Sequence, residues 1–231
     1  MRASQHNACR MPERIGTALF AAGVGWCLGW LSALATRHLQ LGVDDSLPAP
    51  PVGPSVLLAD PLVQGGCALA WAIAAWSATG AWYRWASAGL LAVPLIQVTV
   101  TDLRHRYVFT LVALIGMGLG IASSWIVRDG VWWQGLAGAV GGGLAFGMVY
   151  LLGRLLYRGG EPLARGDVTI AAMVGAASGT CTGTALVYGV LLSGLFALLV
   201  LVYRRSRHVY LPYGPGLCMG GLITLLAPLT C

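Results

Sequence analysis

Residues 168–203 form a run of 36 amino acids without one charged side chain. As one straight helix, at 1.5 Å per residue, it would measure about 54 Å, against a bilayer hydrocarbon core of roughly 30 Å. A single crossing cannot use it, and a water-soluble domain has no place for it. Near its middle, Ser-Gly-Thr-Cys-Thr-Gly-Thr at 178–184 is predicted to break it into two spans.

The rest of the chain follows suit. Only 10% of the 231 residues are charged and 57% are hydrophobic, with a mean hydropathy of +0.75, whereas a soluble domain carries about 25% charged residues. The expected fold is all-α, a polytopic membrane helix bundle of about eight transmembrane helices in a single domain, 1–231. A polar tail, 1–14, precedes a first span at 15–36, which lacks a small-residue cleavage site and is expected to be retained. A polar loop, 37–60, carries Asp44, Asp45, Asp60 and the prolines Pro48, Pro50 and Pro51. Further spans are expected at 62–83, 85–101, 107–127 and 131–153, then the two halves of the long run, and last a helix after Pro215. Gly138, Gly141, Gly142, Gly143 and Gly147 offer close-packing surfaces of the small-x-x-x-small kind. Trp82, Trp85, Trp132 and Trp133 are placed as interface anchors.

All fourteen basic residues are arginines, scattered at predicted helix ends, which suits lipid headgroups and gives no nucleic-acid surface. Six cysteines at 9, 27, 67, 181, 218 and 231 lack metal-ligand spacing, so no metal or cofactor is expected and they read as small apolar residues in or beside the helices. With alternating spans, nine arginines (37, 104, 106, 154, 158, 165, 204, 205 and 207) fall on one face and five on the other. The positive-inside rule makes the nine-arginine face cytoplasmic, although three of the five opposing arginines lie in the first fourteen residues.

Charged groups beside hydrocarbon are costly and usually functional. Asp102 closes the third predicted span and Asp167 opens the sixth, so two complete crossings put both on one face. From Asp167 to the break near Ser178 is about 11 residues, or roughly 17 Å of helix, too short to reach from surface to surface. If the sunken end is the Asp167 end, its carboxyl lies in a partly dry cavity. Two carboxyls about 3 Å apart share a proton; the ionised one can take a proton from water while the other polarises a carbonyl. Gly166 would allow close backbone approach and unusual dihedrals beside Asp167. The structural alternatives are an N-cap for Asp167, an interfacial ion pair with Arg104 or Arg106 for Asp102, a solvated charge for Glu161 and a headgroup-facing side chain for His105.

Three blocks resemble those of the type IV prepilin peptidases, membrane aspartic peptidases of the G-x-G-D kind. They are Asp-Leu-Arg-His-Arg at 102–106, Gly-Glu-Pro-Leu-Ala-Arg-Gly-Asp-Val at 160–168 with its continuation to Gly175, and Leu-Pro-Tyr-Gly-Pro-Gly-Leu at 211–217. The resemblance implies that Asp102 and Asp167 activate the hydrolytic water without a metal. It further implies that Glu161, Arg165, Gly166 and Tyr213 bind substrate or shape the site. The substrate would be a prepilin or pseudopilin with a short basic leader ending in glycine, cut at the cytoplasmic face of the inner membrane. Pilus or secretion machinery would be its functional partner and membrane lipid its surroundings.

The chain departs from the pattern at Ala164, where G-x-G-D has its first glycine, at Thr169, where lysine is usual, and at Val108-Phe109-Thr110, where Ile-Pro-Asn/Asp is common. The opening span lacks Gly-Ser-Phe-x-Asn. Residues 37–60 contain no cysteine, so the tetracysteine domain of the bifunctional members is missing there and N-methylation is not expected. Two other classes stay open at this point: an ion- or proton-coupled transporter using membrane carboxylates, and a non-catalytic membrane scaffold of a pilus or secretion system.

Overall fold

The computed structural model describes residues 11–41, 60–77, 82–105, 110–127, 131–156, 163–204 and 213–227, and among them the secondary structure is helical. The helices are α1 (Met11–Leu41), α2 (Pro61–Ser77), α3 (Trp82–His105), α4 (Thr110–Val127), α5 (Trp133–Leu156), α6 (Arg165–Ser178), α7 (Thr182–Arg204) and α8 (Gly214–Leu226), with a 3-10 turn at Gly179–Cys181 between α6 and α7. Four stretches are long and apolar enough to cross a bilayer: Arg14–Ala35, Trp82–Arg104, Trp133–Leu156 and Arg165–Val202. Thr110–Ile126 and Gly214–Leu226 are shorter apolar helices.

The chain forms two compact units, Met1–Val93 and Pro94–Cys231. The boundary falls within α3, at Pro94. A proline there cannot donate to the carbonyl four residues back, so the helical hydrogen-bond ladder is interrupted at that point. In the first unit α1 packs along α2. A Cβ on Gly25 would lie 2.9 Å from Trp71 Cβ, and one on Gly29 would lie 3.0 Å from Gln64 Cα, so the two helices run antiparallel. Trp71 is buried with Gly89 against its indole. Trp85 meets it edge-on at 5.9 Å, which makes Trp85 a packing residue rather than an interface anchor. Trp82, Trp132 and Trp133 are exposed. Helix α1 overruns the predicted span at both ends, taking in 11–14 of the expected tail and 37–41 of the expected loop.

The second unit is built around α6, which contacts α4, α5, α7 and α8. Its sequence from Ile170 to Ser178 is small and apolar all round, and nearly every position is buried. A helix without a polar face belongs inside a bundle, and small side chains let neighbouring backbones come close. Glycines make those approaches. Hypothetical Cβ atoms on Gly116 and Gly120 of α4 would meet Met173 and Ala176, advancing together, so α4 is parallel to α6. Those on Gly138 and Gly142 of α5 would meet the carbonyls of Gly175 and Ala171 in reverse order, so α5 is antiparallel. Gly214 and Gly221 of α8 approach Ile170 and Val174, and Thr224 Oγ1 lies 3.0 Å from Ser178 Oγ, so α8 runs parallel to α6. Gly189 of α7 faces Leu217 while Ala185 faces Gly220, so α7 is antiparallel to α8 and hence to α6.

The long uncharged run is therefore two antiparallel helices, α6 and α7. It folds at Gly179, where φ is 59°. Thr182 Oγ1 reaches back to donate to the carbonyl of Gly175 at 3.2 Å. Of the five glycines singled out on α5, Gly138 and Gly142 make the tight approaches, whereas Gly141 has nothing within 4 Å of its hypothetical Cβ.

Large apolar side chains point outward instead. Leu144, Met148, Leu152 and Leu155 on α5 and Leu191, Leu195, Leu198 and Val202 on α7 are all exposed. Small residues inside and large ones outside is the distribution of helices that face hydrocarbon. Among the cysteines, Cys67 and Cys218 are buried as apolar residues and Cys27 is exposed. Cys181 departs from the expectation: it is disulfide-bonded. Cys9 and Cys231 lie outside the described residues.

Candidate functional site

Asp102 stands in the last turn of α3, three residues short of where description of that helix ends. The turn has two faces. Thr101 and Asp102 are buried while Leu103 and Arg104 are exposed. Thr101 donates its hydroxyl to the carbonyls of Gln97 at 2.9 Å and Val98 at 3.1 Å, so this polar side chain is satisfied by its own helix. Asp102 is 5% exposed, and its Oδ2 has no hydrogen-bond partner among the described residues. Residues two apart on a helix do not face each other, so the buried Asp102 and the exposed Arg104 are poorly placed for the surface ion pair considered from sequence. Arg106 and His105 belong to positions whose side chains are outside the description.

Asp167 also is 5% exposed. Helix α6 begins a turn earlier than the apolar run suggests: Ala164 is the N-cap, with φ −76° and ψ 147°, and Asp167 is the third helical residue. The structural alternative in which Asp167 is the N-cap is thus corrected, since Ala164 holds that position. Its Oδ2 accepts from the Ala164 N–H at 3.3 Å, and its own N–H donates to the Ala164 carbonyl at 3.1 Å. A carboxylate at this position satisfies an otherwise orphaned donor and lies at the positive end of the helix dipole. The hydrogen bond engages one oxygen only.

The two carboxyls lie within electrostatic reach of each other. They come together because α3 ends where α6 and α8 begin. Gly214, first residue of α8, faces Asp102 Oδ2 and Ile170, one turn beyond Asp167. One turn deeper along α8, the fully buried Cys218 has both carboxyls in electrostatic reach and lies beside Thr99 of α3. Sequence reasoning found Asp102 and Asp167 but gave no role at the site to Thr99 and Cys218, nor singled out Ile170 and Gly214 within the blocks that contain them. The signal that joins them is register: 99 and 102 on α3, 167 and 170 on α6, 214 and 218 on α8, each pair three or four apart and so on one helical face.

The other anticipated residues stand around this centre in different ways. Arg165 is exposed at the start of α6 and donates from Nε to the Tyr150 hydroxyl of α5 at 3.3 Å, a contact that ties the first turn of α6 to α5. Gly166 is half-buried inside the helix, and the positive φ among described glycines belongs to Gly179, so the unusual dihedrals expected at 166 are not found. Tyr213 caps α8 with an exposed side chain, while its carbonyl accepts from Ser193 Oγ at 3.2 Å. Glu161 and Phe109 lie outside the described residues. Ala164 has an extended backbone open to any residue, which accounts for its standing where a glycine is usual. Thr169 is half-buried, with its hydroxyl 3.5 Å from the Arg165 carbonyl.

Comparison of the chain with protein-family models, with curated proteins and with solved structures finds no match.

Proposed function

We propose that this protein is a membrane aspartic endopeptidase that removes the short basic leader of prepilin-like proteins, with Asp102 and Asp167 activating the water. One observation carries the proposal. Two carboxyls, each 5% exposed, converge from different helices at one end of a bundle, and one of their oxygens is buried without a partner among the described residues. A buried oxygen left without a donor is expensive in stability, and sites that keep such groups are frequently functional ones.

In the proposed reaction the pair holds one proton between its two carboxyls. The ionised carboxyl accepts a proton from water as its oxygen attacks the amide carbon, and the protonated one gives its proton to the carbonyl oxygen. Collapse of the resulting gem-diol expels the amine, which takes up a proton from one carboxyl while a gem-diol hydroxyl returns its proton to the other. The dyad ends as it began, and one water is consumed for one amide bond broken.

The eight helices act as eight crossings with the carboxylate end toward the cytoplasm. Alternating directions of α3 through α8 support that layout. Helix α6, with 14 residues, spans about 21 Å, so a bilayer of roughly 30 Å leaves one end sunken. The burial of Asp167 supports placing the sunken end there. Sidedness draws on two independent features, the nine arginines of the carboxylate face and the disulfide-bonded Cys181 at the far end of α6. Disulfides persist in oxidising compartments, which supports a far end outside the cytoplasm.

The test is to express Asp102→Ala and Asp167→Ala separately in a host that lacks its own leader peptidase and supplies a prepilin-like substrate. Each substitution is expected to lower processing by at least about 10³-fold while membrane fractionation shows normal insertion. Processing near the unsubstituted rate by either variant would overturn the proposal.

A further inference from the structure

Gly214 is where the three helices that enclose the carboxyl pair converge. A Cβ built on it would run into Asp102 Oδ2, would lie 3.3 Å from Asp102 Cγ, and would come within 2.9 Å of Ile170 Cδ1. The backbone itself does not ask for glycine, since the positive φ among described glycines is at Gly179. Helix propensity favours alanine over glycine at such a position. What requires the missing side chain is the carboxyl in front of it, buried and held there without a hydrogen bond to Oδ2 among the described residues.

We infer that Gly214 is a positioning residue for Asp102. Resting on the peptidase reading, the inference is that the first turn of α8 acts as a flat wall against which Asp102 Oδ2 lies, which fixes where the carboxyl stands for the reacting water. A methyl group on that wall displaces the carboxyl from α8, with Ile170 Cδ1, 2.9 Å from the added atom, crowding the same space. The distance between Asp102 and Asp167 is then set by one absent side chain on a third helix.

The experiment compares full-length Gly214→Ala with the unsubstituted protein in liposomes, using a prepilin-like substrate. Misplacing a reacting group by about 1 Å costs about 10²-fold, so kcat is expected to fall by roughly that factor with KM within about threefold and with an altered pH profile. Ile170→Val removes Cδ1, the second atom in the way. If the loss acts through Asp102, the double variant Gly214→Ala/Ile170→Val stays impaired; if the loss is mere crowding, the double variant recovers and the inference fails. Gly118→Ala, whose Cβ would meet nothing within 4 Å, reports what a glycine-to-alanine change does by itself.

A second readout does not depend on proteolysis. The rate at which a hydrophobic carbodiimide modifies Asp102, followed by peptide mass spectrometry, is expected to change at least about fivefold in Gly214→Ala while Gly118→Ala leaves it unchanged, because a carboxyl moved by an ångström-scale clash meets the reagent differently. An unchanged rate of modification, or a Gly214→Ala protein with full kcat, overturns the inference. Full activity in Asp102→Ala would instead overturn the peptidase reading, and the carbodiimide result would still decide the role of Gly214.

Discussion

Asp102 and Asp167 are equally buried yet differently supported, and that difference has consequences for stability. Asp167 is anchored by the Ala164 N–H at the start of α6, and a carboxylate in the first turn of a helix is worth about 0.3–1 kcal/mol. Asp102 Oδ2 has no such partner among the described residues, and an unsatisfied buried group costs about 1–3 kcal/mol. Asp167→Ala is accordingly expected to lower the thermal midpoint in detergent. Asp102→Ala is expected to leave it unchanged or raise it by the equivalent of about 1 kcal/mol, the usual exchange of activity for stability at a functional site. Differential scanning fluorimetry of the two variants checks the opposite signs; a large loss of stability in Asp102→Ala would mean that its carboxyl has a structural partner. The pair itself was legible in the sequence, because a charge at the end of an apolar run is conspicuous. The glycine and cysteine facing it were not, because in a chain with 33 glycines and 57% hydrophobic residues such residues carry no contrast.

Between neighbouring helices, glycine marks contact only where a backbone faces it. Gly138 and Gly141 stand on the same helix three residues apart. A Cβ on Gly138 would run into the Gly175 carbonyl and lie 2.8 Å from Thr182 Oγ1, whereas one on Gly141 would meet nothing within 4 Å. Gly138→Ala is expected to destabilise by about 1–3 kcal/mol, the range for overpacking. Gly141→Ala is expected to be neutral or to stabilise by up to about 1 kcal/mol through helix propensity. Thermal midpoints measured in one detergent separate the two; equal losses would place α5 differently against α6. At the turn, Gly179 has φ 59°, a conformation that costs a side-chain-bearing residue about 1–3 kcal/mol, so Gly179→Ala is expected to weaken the α6–α7 reversal by about that much. The sequence showed that α5 was glycine-rich and that the long run had to break, but not which glycines would be buried. Amphipathic periodicity normally reveals the inward face of a helix; here lipid and protein interior are both apolar, and the signal vanishes. Helix ends suffered likewise. The polar residues that mark 1–14 and 37–60 as tail and loop did not prevent α1 from running from Met11 to Leu41.

For the molecule as a whole, the carboxylate end of the second unit gathers the C-terminus of α3 and the N-termini of α6 and α8, with the exposed Arg104 and Arg165 nearby in sequence. The opposite end carries the Gly179–Cys181 turn and the disulfide-bonded Cys181. If that polarity is the orientation in the membrane, a cysteine placed at Arg104, in a protein whose free cysteines have been replaced, is labelled by an impermeant maleimide only when the cytoplasmic side is opened. Labelling from the outer side of intact cells would reverse the orientation and leave an aspartate pair unable to meet a cytoplasmic leader.

The alternating directions of the helices were foreseeable from arginine-punctuated apolar runs; the chemistry proposed for their shared end was suggested by a resemblance, and the convergence of Asp102 and Asp167 is the observation that supports it. Its most direct test is the mass of the product. Incubated in liposomes with the purified, unsubstituted protein, a prepilin-like substrate bearing a basic leader, a glycine and an apolar helix is predicted to yield two fragments whose masses sum to that of the substrate plus one water, divided after the glycine, with no such fragments from Asp102→Ala or Asp167→Ala. A substrate recovered intact from the unsubstituted protein, or cut equally by the variants, would contradict the account.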